Sequence, residues 1–159
     1  MHHFEAGIAM RLTAHTDYAL RVLIALAALG AEQRMTIHDL ARRHRVSANH
    51  LMKVVQRLVR LGLVNGARGR TGGLSLAVPA AELKMGEVVR LLETDTQLVA
   101  CLGDDTAASC VFTGICGLTG ALRGALDAFF AELDRLTLAD LAAPRAALQE
   151  RLHYEPMPA

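Results

Sequence analysis

Apolar positions in the first part of the chain recur at helical spacing and predict two helices. Residues 18–29 are apolar almost all round, with Arg21 the exception, so we expect a helix that is buried on several sides and ends at Gly30. A second helix is predicted to begin at Thr36, with Asp39 as a capping partner three residues on. Its inner face comprises Ile37, Leu40 and Ala41.

The third predicted helix has one apolar face and one face of long polar side chains. A short turn over residues 44–46 precedes it, Ser47 caps its N-terminus, and Gly62 closes it. The positions predicted to face inward are Leu51, Val54, Val55, Leu58 and Leu61. The opposite side carries Asn49, Lys53, Gln56, Arg57 and Arg60.

A basic hairpin is predicted after the third helix. Its first strand begins at residues 63–64, and its second strand alternates over residues 74–78 until Pro79. A glycine-rich tip over residues 68–73 supplies the backbone freedom that the turn needs. Helix, helix, turn, helix and hairpin together form the pattern of a winged helix-turn-helix, which we place at residues 10–80.

The rest of the chain is predicted to contain a connecting helix, a loop and a long helix. The fold class is therefore mainly α, with a small β-hairpin wing and a long C-terminal dimerisation helix. The connecting helix covers residues 85–93, and Thr137 caps a short final helix that runs through Leu141. The predicted segments are 81–97 for the connection, 98–117 for the loop, 118–143 for the long and final helices, and 1–9 and 144–159 for the tails.

A strong apolar stripe on the long helix predicts a partner surface. It consists of Leu118, Leu122, Ala125, Leu126, Phe129, Leu133 and Leu136. The helix lies outside the small DNA-reading core, so a two-fold homodimer is the simplest way to cover the stripe. The alternative is that the stripe packs back on its own winged helix.

Composition and charge agree with a helical protein that binds a polyanion. Of the 159 residues, 52% are hydrophobic and only 4% aromatic, which favours helices packed on helices. Residues 34–70 carry nine Lys or Arg against one acid, whereas residues 82–159 carry six against twelve. A basic segment beside an acidic one is typical of a nucleic-acid-binding module joined to a sensing or partnering module. The alternative is a dipolar protein with no such partner.

The sequence predicts a cytoplasmic protein. No apolar run approaches the ~20 residues of a membrane span. Residues 22–29, which follow Arg11, could belong to a signal peptide, but the pattern continues directly into the DNA-reading helices. Reduced thiols and DNA are both found in the cytoplasm.

The donors near the start of the third helix predict direct contact with DNA. Asn49, His50 and Lys53 occupy its first turn and a half, where Asn can pair with adenine and Lys with guanine or phosphate. Ser47 and the N–H groups of the helix start suit a phosphate. The residues predicted to contact the DNA backbone or a narrow minor groove are Gln56, Arg57, Arg60, Arg68 and Arg70. The alternative is that these side chains only solvate a helix surface.

Three cysteines, Cys101, Cys110 and Cys116, lie together in a polar loop. An odd group of thiols is a poor disulfide framework and a good soft-metal site. Iron–sulfur clusters typically have four ligands, so three cysteines leave one position open. Zinc is the competing metal, although the tight Cys-x2-Cys pair of closed zinc sites is absent. Asp104 and Asp105 are local oxygen donors, and the remaining alternative is that the cysteines are small buried hydrophobes.

With these residues in view, the chain resembles the iron–sulfur winged-helix repressors, the family of NsrR and IscR, and it is most similar to the nitric-oxide-sensing NsrR type. The resemblance covers Met10 to about Leu141. The matching segments are Met10-Arg11-Leu12-Thr13, Thr16-Asp17-Tyr18, Val46-Ser47-Ala48-Asn49-His50 with Lys53, Arg68-Gly69-Arg70-Thr71-Gly72-Gly73, Leu92-Glu93, Leu98-Val99-Ala100-Cys101 and Leu136-Thr137-Leu138-Ala139-Asp140-Leu141.

The resemblance implies a homodimeric repressor, without catalytic residues, that binds a palindromic DNA operator and responds to nitric oxide. It also implies an iron–sulfur cluster on Cys101, Cys110 and Cys116, with [4Fe-4S] favoured over [2Fe-2S]. Asp17 of the partner subunit would be the fourth ligand, and the alternative for Asp17 is an ion pair with Arg21. IscR-like members use a histidine just after the third cysteine, where this chain has Gly117, which favours the NsrR type.

Three other functions compete with this interpretation. A regulator of the IscR type would respond to iron or cluster supply instead of nitric oxide. A metal-free redox switch would form a disulfide between Cys101 and Cys110 on oxidation. An electron-transfer protein would use the cluster and leave the basic helix and hairpin without a role.

Overall fold

The computed structural model describes residues 11–67, 72–93, 102, 110–112 and 115–152. Its helices are α1 (Ala14–Leu29), α2 (Ile37–His44), α3 (Ala48–Arg60), α4 (Met85–Leu92), α5 (Gly117–Asp134), α6 (Leu138–Leu141) and α7 (Arg145–Arg151). Strands β1 (Val64–Ala67) and β2 (Gly73–Leu76) form an antiparallel hairpin, in which Val64 pairs with Leu76. A short 3-10 helix, Ala80–Glu82, follows β2. The predicted fold class, mainly α with a β-hairpin wing, is confirmed.

Helix α1 is the centre of the core and begins earlier than its apolar run. The Thr13 side chain accepts a hydrogen bond from the Thr16 backbone N–H at 3.2 Å and caps the helix, which begins at Ala14, four residues before the predicted start. Val22 and Leu23 are fully buried, which agrees with the prediction of burial on several sides. Gly30 ends the helix with φ +91°, a left-handed conformation that favours glycine.

The predicted caps of the helix-turn-helix are confirmed. The Thr36 hydroxyl accepts from the Asp39 N–H at 3.1 Å, and the Ser47 hydroxyl accepts from the His50 N–H at 3.1 Å. The inner face of α3 is buried at Leu51, Val54, Val55 and Leu58, while Leu61 is half-buried. Burial of this face fixes the rotation of α3 and turns its polar face outward.

The hairpin differs slightly from its predicted limits. Strand β1 begins at Val64 and extends to Ala67, and β2 begins at Gly73 rather than Leu74 and ends at Leu76 rather than Val78. A bridge between Met35 and Leu74 joins β2 to the segment before α2. Most of the tip, including Arg68 and Arg70, lies outside the described residues.

Helices α4 and α5 meet along a polar and aromatic seam. The Arg90 guanidinium donates to both carboxylate oxygens of Asp134, each at 2.8 Å, and lies 4.3 Å from the centre of the Phe130 ring. The pKa of Asp134 is lowered by this hydrogen bond, so the carboxyl stays ionised. Gly86 allows the close approach, because a Cβ atom at this position would overlap the Asp134 carboxylate.

The predicted tail from residue 144 is wrong in its first part. The structure has helix α7 there, and the Arg145 Nε donates to the Ala28 carbonyl at 2.7 Å. Gln149 donates to the same carbonyl at 2.8 Å, and Leu152 is buried in the core. The carbonyls at the end of α1 therefore find their donors in α7, which is why this segment folds onto the domain. Residues 1–9, the other predicted tail, lie outside the described residues.

The connecting segment and the final helix share the core of the winged helix. Leu138 of α6 is fully buried in the same cluster as Leu23, and a β-bridge joins Lys84 to Thr137. Thr137 caps α6 in a reciprocal capping box with Asp140, as predicted for this position. The predicted winged helix, connecting helix and final helix therefore belong to one folded unit with a shared core.

Candidate nucleic-acid interface and metal-binding segment

The outer face of α3 presents a row of exposed donors, as predicted. All of these side chains lie on the side opposite the buried leucines and valines, so no rearrangement of the core is needed for them to meet a ligand. The predicted DNA-contacting residues that the structure exposes are Ser47, Asn49, His50, Lys53, Gln56 and Arg60. A helix with such a face, projecting from a winged unit, has the shape and donors to enter a major groove.

Arg57 departs from this row. Its side chain is half-buried, and its Nη2 donates to the backbone carbonyl of Leu91 at 3.0 Å. The guanidinium thus joins the recognition helix to the end of α4. Sequence spacing placed Arg57 on the polar face of α3 but did not show that α4 lies within its reach.

Helix α1 supports the start of the recognition helix through an aromatic contact that sequence analysis missed. The rings of Tyr18 and His50 meet edge to face, with centroids 5.1 Å apart. The Arg21 guanidinium lies 5.7 Å from the centre of the Tyr18 ring. The orientation of His50, a predicted DNA contact, is therefore coupled to residues on α1.

Two histidines near this interface are held towards their neutral forms. Burial, followed by the positive charge of Arg57, lowers the pKa of His15. Burial, followed by the charge of Arg21, lowers the pKa of His44. Because burial disfavours the charged imidazole, both rings lose their proton more readily than an exposed histidine does.

A buried carboxylate joins the end of α4 to the start of α1. Glu93 is only 9% exposed, and its Oε1 accepts from the Thr13 backbone N–H at 2.7 Å and from the Thr13 hydroxyl at 3.1 Å. Glu93 lies eight residues before Cys101, and Thr13 lies four residues before Asp17. The contact therefore links the approach to the cysteine segment with the helix that carries the predicted fourth ligand.

Asp17 forms the ion pair that was the alternative to metal ligation. Its Oδ1 accepts from the Arg21 Nε at 3.0 Å, and its Oδ2 lies 2.7 Å from the Arg21 Nη2. The two side chains are 45% and 49% exposed, so the carboxylate remains accessible from outside the chain. Each oxygen keeps a second lone pair, so the ion pair with Arg21 does not by itself prevent Asp17 from binding a metal.

The described cysteines lie in the segment that leads into α5. Cys110 and Cys116 are both half-buried, they form no disulfide with each other, and Cys116 occupies the position just before the first residue of α5. Cys101, Asp104 and Asp105 lie outside the described residues. Within the described part of the chain, no three His, Cys, Asp or Glu side chains are close enough to hold a metal. A cluster with negatively charged sulfurs would suit the outward-pointing N–H groups of the α5 start.

The segment around these cysteines exposes large apolar side chains. Val111 is 90% exposed, Ile115 83%, Phe112 60% and Leu118 58%. These are unusual values for side chains of this size, and exposed apolar side chains that are close in sequence are candidates for an interaction site.

The predicted stripe of α5 is divided between two environments. Leu133 and Leu136, at its C-terminal end, pack on the core of the same chain. Leu118 and Phe129 remain exposed, and Ala125 between them is exposed as well. The alternative in which the whole stripe packs back on its own domain is therefore wrong for the N-terminal part of the helix.

A winged unit whose recognition helix presents an exposed row of donors defines a DNA-binding transcriptional regulator. The sequence profile of the Rrf2 family, described as iron-dependent transcriptional regulators, matches residues 12–144. The chain belongs to this family.

Individual relatives agree. The chain is 45% identical over 143 residues to the HTH-type transcriptional regulator NsrR of Geobacillus kaustophilus, covering 90% of this chain and 97% of that protein. It is 43% identical to the NsrR of Bacillus subtilis over the same shares of the two chains. The predicted resemblance to NsrR-type regulators is confirmed, and the chain is a transcriptional regulator and not an enzyme.

Solved structures share the fold. CymR of B. subtilis, described as the global cysteine regulator, superposes with a TM-score of 0.69 at 26% identity, covering 86% of this chain and 98% of that one. The IscR of T. potens gives a TM-score of 0.68 at 21% identity, over 86% and 88% of the two chains, and supports the fold alone. Within the described residues, no helix combines the length and apolarity that a membrane crossing requires.

Proposed function

We propose that this regulator is a homodimeric, cytoplasmic repressor that binds a palindromic operator and releases it when nitric oxide reacts with an iron–sulfur cluster. The observation that carries the proposal is the placement of Cys110 and Cys116 in an exposed apolar segment next to the unpartnered part of α5. The similarity to NsrR supports both the cluster and nitric oxide as the signal.

DNA recognition is assigned to the exposed face of α3. Asn49 and Lys53 lie in its first turns, where side chains reach base edges, whereas Gln56 and Arg60 lie further along and suit phosphates. Two such helices in a two-fold dimer would read half-sites about 34 Å apart. Arg68 and Arg70 extend this proposal to the wing.

The dimer is supported by the apolar surface that a single chain leaves uncovered. Phe129→Glu or Leu118→Glu is expected to yield a monomer, because each change puts a charge into an interface that excludes water. Leu91→Glu is the matched control, since Leu91 is 48% exposed and lies on α4. Light scattering after size-exclusion chromatography measures the mass. A dimer that survives both α5 substitutions would refute this interface.

Cluster binding is assigned to Cys101, Cys110 and Cys116, with Asp17 of the second subunit as the fourth ligand. Two of the three thiols are described and lie six residues apart, with Cys116 at the start of α5, and thiolates are the usual ligands of such clusters. When bound, the cluster supplies irons that react with nitric oxide, and a carboxylate is the most easily exchanged of its ligands.

The path from this site to DNA follows contacts that the chain provides. Glu93 holds the start of α1 through Thr13, and Tyr18 on α1 contacts His50 on the recognition helix. A change in the position of Asp17 would therefore act on the helix that orients His50. A coupling free energy of roughly 1 to 3 kcal/mol between the two sites would suffice for a switch.

The test uses the full-length protein purified without oxygen. Iron and sulfide are counted, duplexes are selected from a random pool, and the affinity for the selected duplex is measured by fluorescence anisotropy before and after nitric oxide. We expect a brown protein that loses at least tenfold in affinity. Colourless anoxic protein, or an affinity that nitric oxide leaves unchanged, would refute the proposal. Loss of affinity on iron chelation alone would instead point to iron status as the signal.

The role of Asp17 is tested separately. Asp17→Ala is expected to change the rate at which nitric oxide abolishes DNA binding, because it removes the exchangeable ligand. Asp39→Ala is the matched control, since Asp39 also lies in a first helical turn and pairs with an arginine, Arg42, at 2.7 Å. If nitric oxide abolished DNA binding at the same rate in the two variants, Asp17 would not be a cluster ligand and its role would be limited to the ion pair with Arg21.

A further inference from the structure

A cavity beside the turn between α2 and α3 is lined by arginines from two distant parts of the chain. It has a volume of about 350 Å³ and is lined by Arg42, Arg43, Arg45 and Arg151. The first three come from the end of α2 and the turn that follows it, and Arg151 comes from the last turn of α7. Among the described residues, no carboxylate lines the cavity. Four arginines therefore line one cavity, and the one ion pair among them in the described structure is that of Arg42 with Asp39.

One of these guanidinium groups lacks a partner. The Nε of Arg43 is buried, and within the described structure it makes no hydrogen bond. A buried N–H of a charged group is costly to leave unsatisfied, so a ligand that drew the Arg43 guanidinium towards the cavity would relieve this cost.

Arg45 occupies a backbone conformation that suits glycine. Its φ is +55° and ψ +43°, in the left-handed region, and its N–H closes the end of α2 by donating to the carbonyls of Ala41 and Arg42. Glycine adopts this conformation without strain and is the common residue at such a helix end. An arginine here adds strain to the fold and contributes a fourth guanidinium to the cavity.

We propose that Arg42, Arg43, Arg45 and Arg151 form a phosphate-binding site, separate from the exposed donors of α3. Planar guanidinium groups bind phosphate oxygens in pairs, and a group of four suits a ligand with more than one negative charge. At about 30 Å³ per water molecule, the cavity has room for roughly ten waters and therefore for a diphosphate. The phosphate can come from a free phosphorylated compound or from the DNA backbone beside the operator half-site.

Arg45→Gly is the decisive variant, because it is expected to change the Tm and the affinity for phosphate in opposite directions. Removing strain at the end of α2 keeps or raises the Tm, whereas removing a guanidinium weakens the site. Arg151→Ala removes a second cation from a different helix. Arg135→Ala is the control, since Arg135 is 78% exposed and lies outside the cavity.

The first arm follows thermal unfolding in inorganic pyrophosphate, with ionic strength matched by sodium chloride. Saturating pyrophosphate is expected to raise the Tm of the wild type and of Arg135→Ala by roughly 5 to 10 °C, and to raise it much less in the two cavity variants. This result would identify a free phosphate compound as the source.

The second arm measures affinity for the selected duplex over a range of salt concentrations, and this arm alone rests on the proposed function. If the source is the DNA backbone, pyrophosphate has no effect and each cavity variant lowers the slope of log K against log salt by about 0.9 relative to Arg135→Ala. If both cavity variants match Arg135→Ala in both arms, the proposal is overturned. If the wild type does not bind DNA, the proposed function is contradicted. The pyrophosphate measurement alone then tests whether the four arginines bind phosphate.

Discussion

Replacing Glu93 tests how firmly the cysteine-bearing half of the chain is joined to the DNA-reading half. In Glu93→Ala, the Thr13 N–H and hydroxyl lose a charged acceptor at 2.7 and 3.1 Å. Hydrogen bonds to charged groups contribute about 1.5–3 kcal/mol each, and a carboxylate at a helix N-terminus adds about 0.3–1 kcal/mol. Thr13 is exposed, so water replaces part of this loss. We expect a decrease of roughly 2–3 kcal/mol in the free energy of unfolding.

The assay is urea unfolding followed by far-ultraviolet circular dichroism, on cluster-free protein at one fixed subunit concentration. Glu93→Gln keeps an acceptor oxygen without the charge and is expected to lose less than Glu93→Ala. Glu82→Ala controls for the loss of an acid, because Glu82 is exposed in the 3-10 helix. A decrease below about 0.5 kcal/mol in Glu93→Ala, with an unchanged m-value, would refute the reasoning, since surface substitutions commonly fall within that range.

Three further predictions concern the stability that α7 contributes, DNA binding by α3, and stability at low pH. Arg145→Ala removes donors to the carbonyls at the end of α1 and should lower the free energy of unfolding by about 1–3 kcal/mol in the same urea assay, whereas an unchanged value would mean that α7 adds no stability. Lys53→Ala should lower the slope of log K against log salt by about 0.9, and Lys84→Ala, at an exposed lysine just before α4, should leave it unchanged. Burial and Arg21 lower the pKa of His44, so the unfolded chain binds more protons below about pH 6.5, and stability should fall as the pH drops from 7 to 5. His44→Gln should flatten that profile of Tm against pH, and a profile identical to the wild type would refute the assignment.

The sequence predicted those parts of the fold that local patterns encode. Helical spacing of apolar residues placed Leu51 and Leu58 in the core, and local side-chain chemistry placed caps at Thr36 and Ser47. Each of these features depends on residues within a few positions of one another. The apolar stripe likewise predicts a partner surface on α5, where Phe129 is exposed in the single chain, and the homodimer stays a prediction.

Contacts between distant residues could not be predicted in the same way. Glu93 meets Thr13 across 80 positions, and Arg145 reaches Ala28 across 117. Neither contact has a local sequence signal. The sequence around a carboxylate or guanidinium in a polar segment looks the same whether that group meets solvent or the end of a helix. The same reason hid the contact between Arg57 and α4.

The geometry of α5 bears on which subunit supplies Asp17. The Met85 N–H donates to the Leu136 carbonyl, whereas Arg90, further along α4, contacts Phe130, so α4 runs antiparallel to α5 and its end lies near the C-terminal half of that helix. Cys116 lies 14 residues before Phe130, a distance of about 20 Å at 1.5 Å per residue. Glu93 keeps the start of α1, and with it Asp17, near the end of α4. If Asp17 is the fourth ligand, as proposed, this separation from Cys116 favours a second copy of the chain as its source.

Mixed dimers distinguish the two arrangements. One chain carries Asp17→Ala with its cysteines intact, and the other keeps Asp17 but has all three cysteines replaced by serine. If the ligand crosses between subunits, the cysteines of the first chain meet the Asp17 of the second, and the single cluster should react with nitric oxide at the wild-type rate. If each chain uses its own Asp17, no cluster in the mixed dimer has a carboxylate ligand, and the rate should equal that of the Asp17→Ala homodimer. Stopped-flow absorbance on tag-purified mixed dimers measures this rate. A rate equal to that of the Asp17→Ala homodimer would contradict ligation across the interface.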